Sequence, residues 1–104
     1  LNWLYVKLYF NTVKLVIKFH ESDDVMKVEI NLYATLARYL PPGAKEAGGM
    51  LEVAEGLTVE ALIRELRVPE DLVKLIFVDG AHADRQTVLK EGNRLGVFPP
   101  VGGG

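Results

Sequence analysis

The segment TVEALIRELRVP at 58–69 is the best-defined helix of this chain, and it limits what the remainder can build. Val59, Leu62, Ile63 and Leu66 recur at i, i+3, i+4 and i+7, which gathers them on one apolar face. The Thr58 hydroxyl is placed to cap the free amides of the first turn, and Glu60 stands near the positive end of the helix dipole. Pro69 is expected to end the helix, because it disfavours helical geometry at Val68. An amphipathic helix has to bury its apolar face against another layer, and the segments around it are patterned as strands.

Val28, Ile30 and Leu32 alternate with polar residues and predict a first strand over 27–32. A short helix over 34–39 follows, and Pro41-Pro42-Gly43 stops it, since proline cannot donate to the helical ladder. The stretch to Gly48-Gly49 reads as a loop leading into a second strand at 51–54. Leu75-Ile76-Phe77-Val78 is a buried-strand run closed by Asp79-Gly80, and 95–98 is a last strand after the turn residues Glu91-Gly92-Asn93. The expected class is α+β, with a mixed sheet of four to five strands packed on one main helix.

Residues 1–25 stand apart from this pattern. Met26 opens the first strand and is a candidate natural start, which leaves 1–25 as an N-terminal extension and 26–104 as the domain. Within the extension Leu4, Val6, Leu8 and Phe10 alternate with other residues, as do Val13, Leu15, Ile17 and Phe19, with Asn11-Thr12 between them. That spells a hairpin, although β-branched Thr12 makes a weaker turn signal than Asn-Gly. The extension is expected to be either a non-native leader or such a hairpin, adding to a sheet edge or driving self-association. His20-Glu21-Ser22-Asp23-Asp24 reads as a solvated linker.

With 104 residues, 49% hydrophobic and 25% charged, one soluble domain is expected. The 12 basic and 14 acidic residues are scattered, so no basic stripe points to nucleic acid. Cysteine is absent, which excludes disulfides, thiolate metal sites and cysteine nucleophiles. Lys7, Lys14 and Lys18 interrupt the apolar start, so it is not a membrane-spanning helix, and it lacks the compact apolar core of a secretory signal. The expected location is cytoplasmic.

The end of the chain, VFPPVGGG, carries the chemistry. Phe98 is the expected anchor of the tail root, and Pro99-Pro100 favours an extended path outward from the sheet. Val101 offers one apolar contact to a partner's channel. Gly102, Gly103 and Gly104 have no side chains, so they can thread a narrow active site and expose the terminal carboxylate. Six residues beyond Phe98 at ~3.3 to 3.6 Å each reach about 20 Å. A carboxylate is a poor acyl donor until activated, and the chain has no phosphate-binding loop of its own, so adenylation has to be done by a partner that binds ATP.

This tail, Phe98-Pro99-Pro100-Val101-Gly102-Gly103-Gly104, resembles the end of the ubiquitin-like β-grasp sulfur carriers, and most of all the small subunit of molybdopterin synthase, with Gly102 in the variable place. The resemblance continues through Tyr33-Ala34, Leu57-Thr58-Val59 with Leu62, Val78-Asp79-Gly80 and Leu89-Lys90-Glu91-Gly92, and covers 26–104. Asn93-Arg94 stand where that family commonly carries acids, a departure that bears on partner recognition. The resemblance implies a carrier that is not catalytic alone. It further implies that Gly104 is expected to be adenylated by an activating enzyme, that sulfur then displaces AMP to give a thiocarboxylate, and that the tail enters the large subunit, where sulfur passes to a pterin precursor. Related carriers serve tRNA thiolation, thiamine synthesis or protein modification, and these are the alternatives.

Other candidate groups are weak. His20 and His82 lack neighbouring ligands, so no metal site is expected, and Asp23-Asp24, Glu46 and Glu70-Asp71 read as solvated loop charges. Phe77, Val97 and Phe98 are candidates for an apolar docking surface, with core burial the competing assignment.

Overall fold

A computed structural model describes residues 4–9, 14–19 and 24–101. Seven strands form one mixed sheet among the described residues: β1 (Leu4–Tyr9), β2 (Lys14–Phe19), β3 (Val25–Leu32), β4 (Met50–Ala54), β5 (Leu75–Val78), β6 (Ala81–Ala83) and β7 (Arg94–Phe98). Their spatial order is β1-β2-β4-β3-β7-β5-β6. The five strands from β3 onward, with the single helix α1 (Val59–Glu65), make the α+β architecture expected of 26–104. β3 and β7 pair in parallel at the centre, and the other pairs within this unit are antiparallel.

β1 and β2 lengthen the sheet beyond four or five strands. They pair antiparallel with Val6 opposite Ile17 and Leu8 opposite Leu15, and β2 runs parallel to β4 with Leu15 beside Leu51 and Ile17 beside Val53. The expected Asn11-Thr12 turn and most of the 20–24 linker lie outside the described residues. β3 begins at Val25, two residues before the sequence pattern indicates, because pairing of Val25 with Ala54 carries the ladder to its end.

The alternation along β3 divides the sheet into two faces. Met26, Val28, Ile30 and Leu32 are buried on the helix side, joined by Leu51, Val53, Ile76, Leu95 and Val97. Val59, Leu62 and Ile63 of α1 close this core from above, as their spacing requires. Leu36 drops into it from a short helix at Ala34–Tyr39 that is 3-10 rather than α. Six residues is long for such a run, which is bounded by i to i+3 bonds from the Leu36 amide to the Tyr33 carbonyl at 3.0 Å and from the Leu40 amide to the Ala37 carbonyl at 3.1 Å.

α1 starts as expected. Thr58 is extended, and its hydroxyl accepts a hydrogen bond from the Ala61 amide at 3.1 Å. The carbonyls of Thr87 and Arg85 accept from the Val59 and Glu60 amides, so the first turn is satisfied by a neighbouring segment as well. The end differs from the expectation at Pro69. Leu66 caps the helix and Arg67 turns to φ +63. The Val68 amide then donates to the Ile63 carbonyl at 3.2 Å and the Arg67 amide to the Arg64 carbonyl at 3.0 Å. Those two bonds satisfy the Ile63 and Arg64 carbonyls and close the helix before Pro69 is reached. Because arginine pays a steric penalty at this φ and glycine does not, Arg67→Gly is expected to raise stability by about 1 kcal/mol. Urea unfolding of the two proteins measures it, and a loss of stability would contradict this view of the cap.

β6 escapes sequence reading because Ala-His-Ala has no apolar alternation. Its turn was legible: Asp79 at φ +53 and Gly80 at φ +81 form the two-residue hairpin connection that Asp-Gly favours.

Candidate functional site

β7 leads directly to the tail, and its side chains alternate across the sheet. Leu95 and Val97 are fully buried on the helix side, which assigns Val97 to the core. Arg94, Gly96 and Phe98 therefore share the opposite face with Glu29, Asn31 and Tyr33 of the neighbouring chain segment.

On that face three aromatic rings gather at the tail root. Phe98 stacks on Tyr33 with centroids 4.2 Å apart and planes 7° from parallel, and it meets Phe77 edge-on at 5.7 Å. Contacts of this kind are each worth about 0.5–1.5 kcal/mol beyond the area they bury. His82 continues the row, edge-on to Phe77 at 5.7 Å. Gly96 lies beside the stack, where a Cβ would meet Tyr33 Cε2 at 3.4 Å and Phe98 Cε1 at 3.7 Å, ordinary van der Waals contact that does not require glycine. The rings border a shallow concavity of ≈ 310 Å³ whose other end is formed by Asn31 and Arg94.

The backbone fixes the same point. The Lys74 amide donates to the Phe98 carbonyl at 2.8 Å and the Tyr33 amide to the Val97 carbonyl at 3.1 Å. Phe98 is thus held by both its ring and its main chain. Beyond it Pro99 is half-buried, Pro100 is exposed, and Val101 is 84% exposed. Gly102, Gly103 and Gly104 lie outside the described residues.

Asn93-Arg94, the departure noted in the sequence, have separate tasks. Asn93 is turned into its own loop: its Oδ1 accepts from the Lys90 amide at 2.6 Å and its Nδ2 donates to Asp79 Oδ2 at 2.7 Å. Asp79 Oδ1 accepts from the Arg94 amide at 2.8 Å, so one carboxylate ties the β5–β6 turn to the start of β7. The Arg94 side chain lies on the exposed face, 3.5 Å from Glu29 Oε2. That exposed pair contributes little to stability and places a cation at the rim of the concavity.

The remaining candidates do not converge. Glu46, Glu70, Asp71 and His82 are exposed and scattered, while His20 and Asp23 lie outside the described residues. Among the described residues no group of three or more His, Cys, Asp or Glu is placed to hold a metal ion. No helix among them is long and apolar enough to cross a membrane. Sequence reading named Phe98, Pro99, Pro100 and Val101, but it gave Tyr33 and Gly96 no part in the site. An aromatic residue continuing the polar row Glu29, Asn31 was the available signal for Tyr33.

A mixed sheet folded around one helix, with its central strand running out into an extended tail, defines the ubiquitin-like β-grasp class. The sequence pattern of the ThiS family matches residues 40–104, and the chain belongs to that family of β-grasp sulfur carriers. Three solved structures share the fold. The solution structure of the Haloferax volcanii HVO 2177 protein is 23% identical with a TM-score of 0.56, over 80% of this chain and 92% of that one. The crystal structure of SAMP1 from Haloferax volcanii is 20% identical with a TM-score of 0.51, over 75% and 99%. A Pyrococcus furiosus protein described as a candidate molybdopterin converting factor, subunit 1, is 24% identical with a TM-score of 0.50, over 73% and 99%. A search of curated protein sequences finds no match.

Proposed function

We propose that this protein carries sulfur on its C-terminal carboxylate for molybdopterin synthesis, as the small subunit of a heteromeric synthase. The observation that carries the reading is the Phe98 root, stacked at 4.2 Å on Tyr33, from which half-buried Pro99 and exposed Pro100 and Val101 lead toward Gly102-Gly103-Gly104. A delivery arm needs a fixed base and a slender, unbranched end, and this sequence supplies both.

In this reading an activating enzyme binds ATP and attacks the α-phosphate with the Gly104 carboxylate, releasing pyrophosphate and leaving an acyl-adenylate. A persulfide sulfur then displaces AMP. Reductive cleavage of the resulting acyl disulfide by a thiol leaves the thiocarboxylate. The carrier supplies no catalytic side chain to these steps. Its contribution is to present the carboxylate at a distance of about 20 Å from the domain, in a strip narrow enough for a partner to enclose.

The exposed face with Tyr33, Phe77 and Phe98 is the docking surface in this reading. It is continuous with the tail, so a partner that covers the rings also receives the glycines. Arg94 at the rim favours an acidic group on that partner. Both the activating enzyme and the large subunit would use this surface, in turn.

The likeness to SAMP1 keeps a second reading in view, that of a ubiquitin-like modifier, with tRNA thiolation and thiamine synthesis as other sulfur acceptors. Affinity purification of the full chain from its source cells separates them. Co-purification of a molybdopterin synthase large subunit supports the first reading, and isopeptide-linked conjugates with no such subunit would replace it with the second. Residues 1–25 are an addition to the carrier domain at 26–104 in either reading. The β1 edge is where a second copy would pair, and an unchanged oligomeric state after deleting 1–25 would exclude that role.

A further inference from the structure

Asn93 and Arg94 both depart from the acids common in the small subunits that this tail resembles, but only Arg94 stands on the face beside the tail. Asn93 is engaged within its own loop, by the Lys90 amide and by Asp79. We propose that Arg94 is the residue by which the activating enzyme selects this chain. The enzyme sets a carboxylate against it, and a carrier with an acid at that place is rejected. Selection of this kind rests on the activation step of the proposed function and adds a basis for discrimination between carriers.

Placement is the first support. Arg94 pairs with Glu29 across β7 and β3, and it lines the same ≈ 310 Å³ concavity as Tyr33, Phe77 and Phe98. At ~3.3 Å per residue it stands about 13 Å along β7 from the Phe98 root, so a partner that encloses the tail also covers it. The second support is that its charge stays available. The side chain is 70% exposed, and Glu29 Oε2 approaches Nε only to 3.5 Å, longer than the ~2.7–2.9 Å of a charge-assisted hydrogen bond. That same oxygen accepts from Asn31 Nδ2 at 2.9 Å, so Glu29 is held mainly by Asn31. The third is Asp79, whose two oxygens accept from the Arg94 amide at 2.8 Å and from Asn93 Nδ2 at 2.7 Å. The Arg94 main chain is thereby fixed while its side chain remains open to a partner.

Charge and the order of steps define the partner. A guanidinium fork pairs with a carboxylate in a bidentate manner, whereas a cation brought to this face would meet a like charge. Every sulfur acceptor considered, and protein modification too, needs the C-terminal carboxylate activated first, and this chain has no phosphate-binding loop with which to do so. The activating enzyme is therefore the partner that has to recognise this face, whichever acceptor follows. An enzyme suited to carriers with an acid at this place would present a cation there, which Arg94 repels. Reversal of the charge on both sides makes a separate pair.

The test measures pyrophosphate release from ATP by the activating enzyme of the same cells, at varied concentrations of the full chain. Arg94→Glu is expected to raise KM about 100-fold and Arg94→Gln about tenfold, with kcat at saturation within about twofold of the wild type, since the tail is intact. The wild-type KM should rise as sodium chloride is added, and that of Arg94→Gln much less. Arg64→Glu is the control, an equal change of net charge at a 67% exposed residue of α1, which packs on the other face of the sheet. Its KM should stay at the wild-type value. An Arg94→Glu KM equal to that of the wild type, one matched by Arg64→Glu, or a loss confined to kcat would overturn selection through Arg94 and leave the carrier reading intact. No pyrophosphate from the wild-type chain, with the enzyme competent on another carrier, would overturn both.

Discussion

Deletion of Gly104 is expected to abolish activation of this protein completely while leaving its fold unchanged. The two halves of that result have separate causes. Val101 is 84% exposed and the sheet ends at Phe98, so the core formed by the described residues is complete without the terminal glycine. The melting temperature and the unfolding midpoint should match those of the full chain. Activation depends on where the carboxylate sits. Shortening the strip by one residue withdraws it by ~3.3 to 3.6 Å, while in-line attack on a bound nucleotide tolerates a displacement nearer 1 Å. Pyrophosphate release from ATP in the presence of the activating enzyme is the readout. Turnover of the shortened chain at the rate of the full one would show that the carboxylate of Gly104 is not the reacting group.

Gly49→Ala is the substitution with the largest expected effect on stability. Gly49 has φ +83, and a Cβ there would lie 2.6 Å from the Ile30 carbonyl oxygen. Neither side can yield easily. The Gly49 carbonyl accepts from the Ile30 amide at 2.8 Å, the Gly49 amide donates to the Ala44 carbonyl at 2.8 Å, and Ile30 belongs to central β3. Backbone strain together with a forced displacement of a paired strand should cost about 3 kcal/mol. Gly48→Ala is the control: φ is +69, but nothing lies within 4 Å of a Cβ, so only the conformational term of about 1 kcal/mol applies. Chemical denaturation of the pair measures the difference. Equal losses would mean that the close approach to Ile30 carries no weight.

Those two glycines show where sequence reading was sufficient and where it was not. Gly48-Gly49 was legible as the end of a loop, but only the β3 backbone above it distinguishes one glycine from the other. The strands at 27–32, 51–54, 75–78 and 95–98 were legible because alternation and burial agree along each of them. Thr58 was legible as a cap for the same reason, since a hydroxyl before an apolar helical period has one common use. The helix end was not. The bonds that close it run through Arg67, a residue with no intrinsic preference for the left-handed region, so Pro69 offered the stronger signal. The site divides in the same way. The Phe98-Pro99-Pro100-Val101 pattern is local and was read directly, whereas the Tyr33 ring over Gly96 depends on β3 and β7 lying side by side in parallel. No local pattern encodes that neighbourhood.

The lengthened sheet follows the same logic. The hairpin pattern of 1–25 could be read from alternation, but attachment of β2 parallel to β4 is a choice of edge that alternation does not specify. The ThiS match begins at residue 40, so this addition also lies outside the part of the chain that the family pattern covers.

The most direct test of the account is the intact mass of the full chain after incubation with its activating enzyme, ATP and a sulfur donor. The account predicts a gain equal to the exchange of one oxygen for one sulfur, located by fragmentation at Gly104. An unchanged mass, with the activating enzyme shown to be competent on another carrier, would contradict it.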